Sequence, residues 1–420
     1  MNTGSQSLPG APLPPPLLPN LFAMAAALAV AGVAVTGGYQ WSRAKQEKLL
    51  HSAAPEFCDA KLHGVALIRE ALSRPDTLVL FGSSELIPDV PMKGVDFFAD
   101  APTGFSVFPV GKAGTTALSV LQKLGGSGEE LAGKKVVLSL SPGFFQTEAV
   151  DAKYFEGNSS KLQLKEFLWN EQYSDRLKKD VAVEMLKFPK IVDGDWILRF
   201  TLEHVASGNS WDRVMLRLIQ PYAVLDRAVG RLQDNFEAAF ALNADPEVSS
   251  PSHFRPKRGH VLNWDDLFRT AEQQSSSLAQ RAKQRPLKVT RAKGTWDNQF
   301  VAKMRKAQEW NDFELVLRLL KEAGAKPLVI SMPLHADILE AQGVSEVARM
   351  EYGTRLQALT KQYNAPLVYL KDHESDPVFF VDQHDHIGSK GWWYYNRLID
   401  DFYHDRLSTS AVAQQSRKLP

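Results

Sequence analysis

The chain has 420 residues, 44% hydrophobic and 23% charged, the balance of a folded globular protein rather than a disordered one. Lys and Arg number 49 against 48 Asp and Glu, a formal net charge of +1, so no whole-chain field gathers nucleic acid and nucleic-acid binding is not expected. The single cysteine, Cys58, excludes an intramolecular disulfide framework and a cysteine-based zinc cluster, and reads as a small buried apolar side chain.

Residues 1–20 are Pro-rich and carry no Lys or Arg, as expected of an extended lead. Leu21 to Tyr39 carry no charge, and as a helix they would span about 28 Å, close to the hydrocarbon thickness of a bilayer. Tyr39 and Trp41 stand at one end, where an interfacial aromatic belt belongs. The segment, residues 21–41, therefore reads as a single transmembrane anchor in a lipid bilayer. A cleavable signal peptide would need a basic region before the apolar run, and none precedes Arg43. A core helix of a soluble domain would need a polar face. Arg43, Lys45 and Lys48 come directly after the span, and the positive-inside tendency alone would keep the large C-terminal part in the cytoplasm.

Residues 42–74 read as a helical stalk that Pro75 and Asp76 stop. Short apolar runs bounded by Gly or Pro come next, at Thr77 to Phe81, 105–111, 134–142, 326–333 and 365–370. Helical patterns lie between them at 112–125, 298–324 and 344–364. Apolar strands alternating with helices predict a mostly parallel sheet covered on both faces, built from residues 75–150 and 298–407. Between them, residues 151–297 read as a mainly helical insertion, with 245–297 of loop and short-helix character. Residues 408–420 read as a disordered tail.

In an open parallel sheet, ligands bind at the carboxyl ends of the strands, and four segments fall there. In Phe81-Gly82-Ser83-Ser84-Glu85-Leu86, Ser83 or Ser84 sits on a turn where a hydroxyl is exposed and backbone N–H groups can hold an oxyanion, although Gly-Ser-Ser is equally good turn chemistry. The loops holding Gly111 and Gly114, and Ser141 to Phe145 with Gly143, each come after a predicted strand and could bring backbone N–H groups to the same oxyanion. Near the C terminus, Asp382, His384, Asp385 and His386 precede a helix that begins between Gly388 and Gly391. A histidine there, oriented by a carboxylate, could take the proton of a serine hydroxyl. The same residues could be partial zinc ligation, but alternate residues of one short loop seldom converge on a metal, so no metal is expected. Trp392, Trp393, Tyr394, Tyr395, Phe402 and Tyr403 are spaced for a buried helical face.

Taken together, the N-terminal anchor, "FGSSEL", "SPGFF" and "D…HIGSKGW" resemble the DltD family of teichoic-acid D-alanylation, from the anchor to about residue 405. The resemblance implies a flavodoxin-like α/β fold of the SGNH-hydrolase type. It implies a serine acyltransferase or esterase, with no cofactor, that moves D-alanyl groups to or from an envelope glycopolymer. By position, Ser84 rather than Ser83 takes the place of the SGNH nucleophile, and His386 takes that of the family histidine. The aspartate of SGNH proteins usually stands three residues earlier, where this chain has Gln383. Asp382 is preferred over the adjacent Asp385, because neighbouring side chains diverge. The family often has Gln-Trp where this chain has Gly143-Phe144, so the oxyanion would lean on backbone N–H groups. The resemblance also implies an extracytoplasmic catalytic domain, against the charge rule, and a membrane-bound O-acyltransferase and a D-alanyl carrier protein as partners. The alternatives are an envelope O-acetyl esterase or acetyltransferase on the same scaffold, or a non-catalytic protein that recruits those partners.

Overall fold

The structure, a computed structural model, describes residues 17–50, 64–243, 261–282, 291–382 and 386–407. Cys58, most of the Pro-rich lead and the C-terminal tail lie outside them.

Helix α1 runs unbroken over Leu17–Leu50, starting within the Pro-rich lead and continuing past the apolar run. Pro19 stands in its first turn, where the missing N–H costs nothing. Its stretch Pro19–Lys48 is long and apolar enough to cross a membrane, and none of that apolar window is buried against the rest of the chain.

After α2 (Val65–Ser73), the chain enters β1 (Thr77–Phe81), α3 (Gly94–Asp100), β2 (Ser106–Val110), α4 (Ala117–Ser127) and β3 (Lys135–Leu140). A helical block comes next, made of α5 (Ala152–Asn158), α6 (Lys161–Leu168), α7 (Asp175–Met185), α8 (Trp196–Ser207), α9 (Ser210–Asn243) and α10 (Trp264–Ala282). The sheet resumes through α11 (Asp297–Lys306), α12 (Glu309–Ala323), β4 (Lys326–Ser331), α13 (Ala336–Ala341), α14 (Glu346–Gln362), β5 (Leu367–Tyr369) and α15 (Ser389–Tyr403). Among the described residues the five strands, all parallel, lie in the order β2-β1-β3-β4-β5, the doubly wound arrangement with its switch point between β1 and β3. The fold is thus the α/β class that the alternating apolar runs predict.

Side chains alternate along each strand, so the sheet feeds two cores. Val79, Phe81, Val136, Leu138 and Val329 face α2, α4 and α12. Leu78, Leu80, Val107, Val137, Leu328 and Ile330 face α3 and α15, where Trp392, Trp393, Tyr394 and Tyr395 are fully buried. The aromatic run is core packing for those four; Phe402 and Tyr403 are half-buried at its edge.

Two helices differ from the sequence reading. Residues 298–324 form two helices, not one, because the chain turns at Ala307-Gln308 and the Gln308 N–H leaves the helix to reach the carbonyl of Glu148 at 3.1 Å. Within 245–297, where loops and short helices are expected, α10 is a helix of 19 residues. Phe268 on α10 packs against Trp393 and Tyr394, and the Trp393 indole N–H donates to the Trp264 carbonyl at 3.0 Å. The i, i+3, i+4, i+7 spacing of Trp264, Leu267, Phe268 and Ala271 is the apolar stripe that carries this contact.

Helix α9 is 34 residues long and keeps its course through an internal Pro221. It is tied to α6 by ion pairs, Lys165 to Asp226 and Arg231 to Glu166. Its C-terminal part meets α1: the Phe236 ring lies over Gly38, Trp41 stands 6.1 Å from Phe240, and the Gln46 amide donates to the Asn235 carbonyl. The membrane-length helix is thereby docked on the helical block.

Candidate active site

At the carboxyl end of β1, Gly82 donates its N–H to the Val110 carbonyl at 3.0 Å, extending the ladder one residue beyond the strands. Gly111 packs directly on that residue: a Cβ on Gly111 would stand 1.9 Å from the Gly82 carbonyl oxygen, and its φ of +154° also favours glycine. The two loops therefore touch backbone to backbone. The next turn is held by Thr115, whose hydroxyl accepts from the Lys112 N–H, and by Asn158 of α5, whose amide donates to the Ala113 carbonyl. Gly114, at φ +77°, lies under the Tyr154 ring, so this glycine also fits where a side chain would not.

Ser83 and Ser84 have different environments. Ser83 is buried, and its hydroxyl points to the Lys112 carbonyl at 3.4 Å. Ser84 is half-exposed as the first residue of a short 3-10 turn, Ser84–Leu86. The Ser84 hydroxyl has no hydrogen-bond partner among the described residues. Catalytic hydrogen bonds are often long without substrate and close only on binding.

Glu85 is the residue that sequence reasoning missed in this turn. Its carboxyl folds back to accept the Ser83 N–H at 2.9 Å and is wholly buried. Burial pushes Glu85 up, against the hydrogen bond from the Ser83 N–H. A carboxylate beside two serines is visible in the sequence, but its inward direction is not.

That C-terminal loop is a small hairpin. Phe380 and Ile387 pair antiparallel, the Val381 N–H donates to the His386 carbonyl at 2.8 Å, and the Gly388 N–H to the Phe379 carbonyl at 2.8 Å. Asp382 and His386 stand on opposite arms, which turns a separation of four residues into contact. His386 Nδ1 lies 2.5 Å from Asp382 Oδ2. The His386 N–H also donates to Asp382 Oδ1 at 3.4 Å. A carboxylate on Nδ1 holds the proton there and leaves Nε2 as the acceptor. Gln383, His384 and Asp385 lie outside the described residues. Beneath the hairpin, His335 stacks on Phe380 at 4.3 Å, and burial pulls its imidazole down, against the charges of Asp337 and Asp382. The start of α15 is fixed by α10, with the Ser275 hydroxyl accepting the Lys390 N–H at 2.8 Å and Glu272 and Asp376 each 3.0 Å from the Lys390 ammonium.

Gly143 is half-exposed in the 3-10 turn Pro142–Gln146 after β3. Its neighbours Phe144 and Phe145, with Gly82, Ser83, Ser139 and Ser141, line a cavity of about 20 Å³, room for about one water. Glu309 closes that cavity from α12. One of its oxygens accepts the Ala117 N–H at 2.7 Å, at the start of α4, and the other has no partner among the described residues. Burial, then the charge of Asp312, pushes Glu309 up to about 8, against the Ala117 hydrogen bond. Nothing in the local sequence marks Glu309, since it reaches α4 only through the break between α11 and α12. No cluster of three or more His, Cys, Asp or Glu side chains suited to a metal occurs among the described residues.

Comparison with known proteins adds the family. The model of the DltD protein family matches residues 54–404. The chain is 26% identical over 406 residues to Protein DltD of Bacillus subtilis (strain 168), covering 94% of this chain and 98% of that protein. It is 22% identical over 403 residues to Protein DltD of Lacticaseibacillus rhamnosus, covering 91% and 89%. With Protein DltD of Staphylococcus aureus (strain NCTC 8325 / PS 47) the figures are 20% over 362 residues, 84% and 88%. With a family match over most of its length, a five-stranded parallel sheet and one membrane-length helix at its start, this chain belongs to the DltD family.

Proposed function

We propose that this protein is a membrane-anchored serine acyltransferase or esterase of teichoic-acid D-alanylation, acting through Ser84, His386 and Asp382. Family membership supports the role in D-alanylation. The observation that carries the chemistry is the 2.5 Å contact between His386 Nδ1 and Asp382 Oδ2, which fixes the imidazole as a base.

In this reading, His386 Nε2 takes the Ser84 proton as Ser84 Oγ bonds to the acyl carbon of a D-alanyl ester or thioester. The tetrahedral oxyanion is held by backbone N–H groups of Ser84 and of the Gly111 to Gly114 loop, with Gly143 at the margin. The bond to the leaving group breaks as His386 returns the proton to it. A hydroxyl of an envelope glycopolymer then gives its proton to His386 as its oxygen bonds to the acyl carbon, and the bond to Ser84 Oγ breaks as His386 returns that proton to it, which restores the free serine; with water in place of the hydroxyl the reaction is hydrolysis. Asp382 holds the imidazole in the required tautomer.

The catalytic domain faces outward from the cytoplasmic membrane in this reading, and a membrane-bound O-acyltransferase and a D-alanyl carrier protein are the partners upstream. The test is Ser84→Ala in cells. D-alanyl ester on the envelope polymer is expected to fall to background at normal protein level, with partner binding kept. Full D-alanylation in the variant would show that the chain only recruits others.

A further inference from the structure

Helix α9 leaves an apolar face open. Leu218, Tyr222, Leu225, Val229, Leu232 and Phe236 come at alternating steps of four and three, which puts them in one stripe along the helix. Trp211 begins the same stripe two turns earlier. Trp211, Leu218, Tyr222, Leu225 and Val229 are 57–66% exposed, whereas Ile219 and Ala223, on the face turned to the helical block, are buried. Scattered exposed apolar side chains are ordinary on a protein surface; a continuous row on one face marks a contact.

The C-terminal end of the stripe is covered by α1, and the contact has a direction. Phe240 stands beside Trp41, the Phe236 ring lies over Gly38, and Ala228, Val229 and Leu232 share a groove of about 710 Å³ with Val35, Thr36 and Tyr39. Traced back from Phe240 to Val229, α9 therefore passes from the aromatic, interfacial end of α1 to its apolar run. The open part of the stripe, from Leu225 back to Trp211, continues toward the bilayer side of the molecule.

A second copy of the chain suits this face less well. Helices that pair through such a seam carry complementary charges beside it. Here one side has Val214, Pro221 and Ala228, and the other has Asp212, which is buried, and Asp226, which is held by Lys165. A bilayer needs no such pairing: it accepts an apolar face bounded by aromatic rings and cations. Arg213 and Arg217 are exposed on the α7 side of the stripe, where with Arg227 of α9 and Arg176, Lys178 and Lys179 of α7 they line one groove. Neither Arg213 nor Arg217 forms an ion pair among the described residues. Long arginine side chains in that place can keep their charge at the headgroups while the stripe sits below them.

We propose that the open stripe of α9 lies in the bilayer interface, with Arg213 and Arg217 against anionic lipid headgroups, as a second membrane contact besides α1. The proposal rests on α1 lying in a bilayer and is independent of the chemistry at Ser84. A lone spanning helix is free to tilt; a second contact fixes the height and direction of the sheet over the lipid.

The test uses the full chain with Cys58→Ser, carrying an environment-sensitive fluorophore at Leu218→Cys or Leu225→Cys and, for comparison, at Val347→Cys, which is exposed on α14. Each protein is placed, one chain to a disc, in nanodiscs of phosphatidylcholine and phosphatidylglycerol that contain nitroxide-labelled acyl chains. At 218 and 225 the emission is expected to shift to the blue and to be quenched by the nitroxide; at 347 it should do neither. Replacing the phosphatidylglycerol with phosphatidylcholine should weaken the quenching, and Arg213→Gln with Arg217→Gln should abolish that difference. The chain without labels gives a second reading, since brominated lipid should quench its tryptophan emission and Trp211→Phe should lessen that loss. The proposal is overturned if the labels at 218 and 225 emit as they do in water, or if they shift without quenching, which would mean that protein covers the stripe. It is equally overturned if the label at 347 is quenched as strongly, if headgroup charge makes no difference, or if Trp211→Phe leaves the bromide quenching unchanged. Ser84→Ala should match the parent chain throughout, so failure of the catalytic reading and failure of the membrane contact are read separately.

Discussion

At the scale of single residues, the cluster of Glu309 and Asp312 shows how burial sets a property that residue type alone would not suggest. Both carboxyls sit on α12 inside the core that faces α4. Glu309 is raised from 4.5 to about 8, and Asp312, by burial and then the charge of Glu184, from 3.8 to about 7. A carboxyl raised on folding keeps a proton that the unfolded chain has already lost. Its contribution to stability is whole below the unfolded value and disappears as pH rises through the folded one. Stability is therefore expected to fall as pH climbs from about 4.5 to about 8. Glu309→Gln keeps an acceptor for the Ala117 N–H and removes one titrating group, so it should flatten this slope and raise the melting temperature above pH 8. Thermal unfolding across that pH range checks it; a slope equal to that of wild type would show that Glu309 stays ionised. Ser84 and His386 illustrate the opposite case, since serine and histidine at strand ends already suggest their chemistry. Asp382 needed the hairpin, because only the pairing of Phe380 with Ile387 brings a residue four positions away onto the imidazole.

At the scale of elements, the strands are the most legible feature. All five expected runs are strands, because short apolar runs cut by Gly or Pro have little choice but a buried parallel sheet. The contact between the β1 and β2 turns is not legible. "FGSS" and "VGKAG" each read as loop glycines, yet a Cβ on Gly111 would meet the Gly82 backbone and one on Gly82 would meet the inward-turned Glu85 carboxyl. Gly111→Ala would drive a methyl group into the Gly82 carbonyl and force the turn that carries Ser84 to move. The expected cost is about 3 kcal/mol or more in denaturant unfolding, with loss of activity beyond the loss of folded protein. A substitution tolerated within about 0.5 kcal/mol would mean that the two loops are not held together. Helix α10 was within reach of the sequence, since its apolar spacing is regular; its polar composition concealed it until Trp393 and Tyr394 supplied the surface it covers.

At the scale of the whole molecule, α1 and α9 join the membrane-length segment to the helical block, and the block joins the sheet through the contact of α6 with α4. The charge rule applied to Arg43, Lys45 and Lys48 and the proposed envelope reaction demand opposite sides of the membrane for everything after α1. A compartment-sensitive reporter fused after residue 420 is expected to be active only outside the cytoplasm. A reporter active inside would exclude an envelope polymer as acceptor and with it the proposed reaction.

The sequence by itself determined the membrane-length helix, the parallel α/β sheet and the family, because these rest on local apolar periodicity and on short motifs. It also offered the serine and histidine, since a hydroxyl on a strand-end turn and an imidazole before a helix are local features. Tertiary structure alone brought Asp382, which the sequence already favoured, onto His386 across the hairpin, and decided that Glu85 turns inward, that Glu309 closes a cavity beside Ser83, and that six cations from two helices share one groove. Each of these is a contact between segments distant in the chain or a direction taken by a side chain, and neither is encoded in the spacing of neighbouring residues.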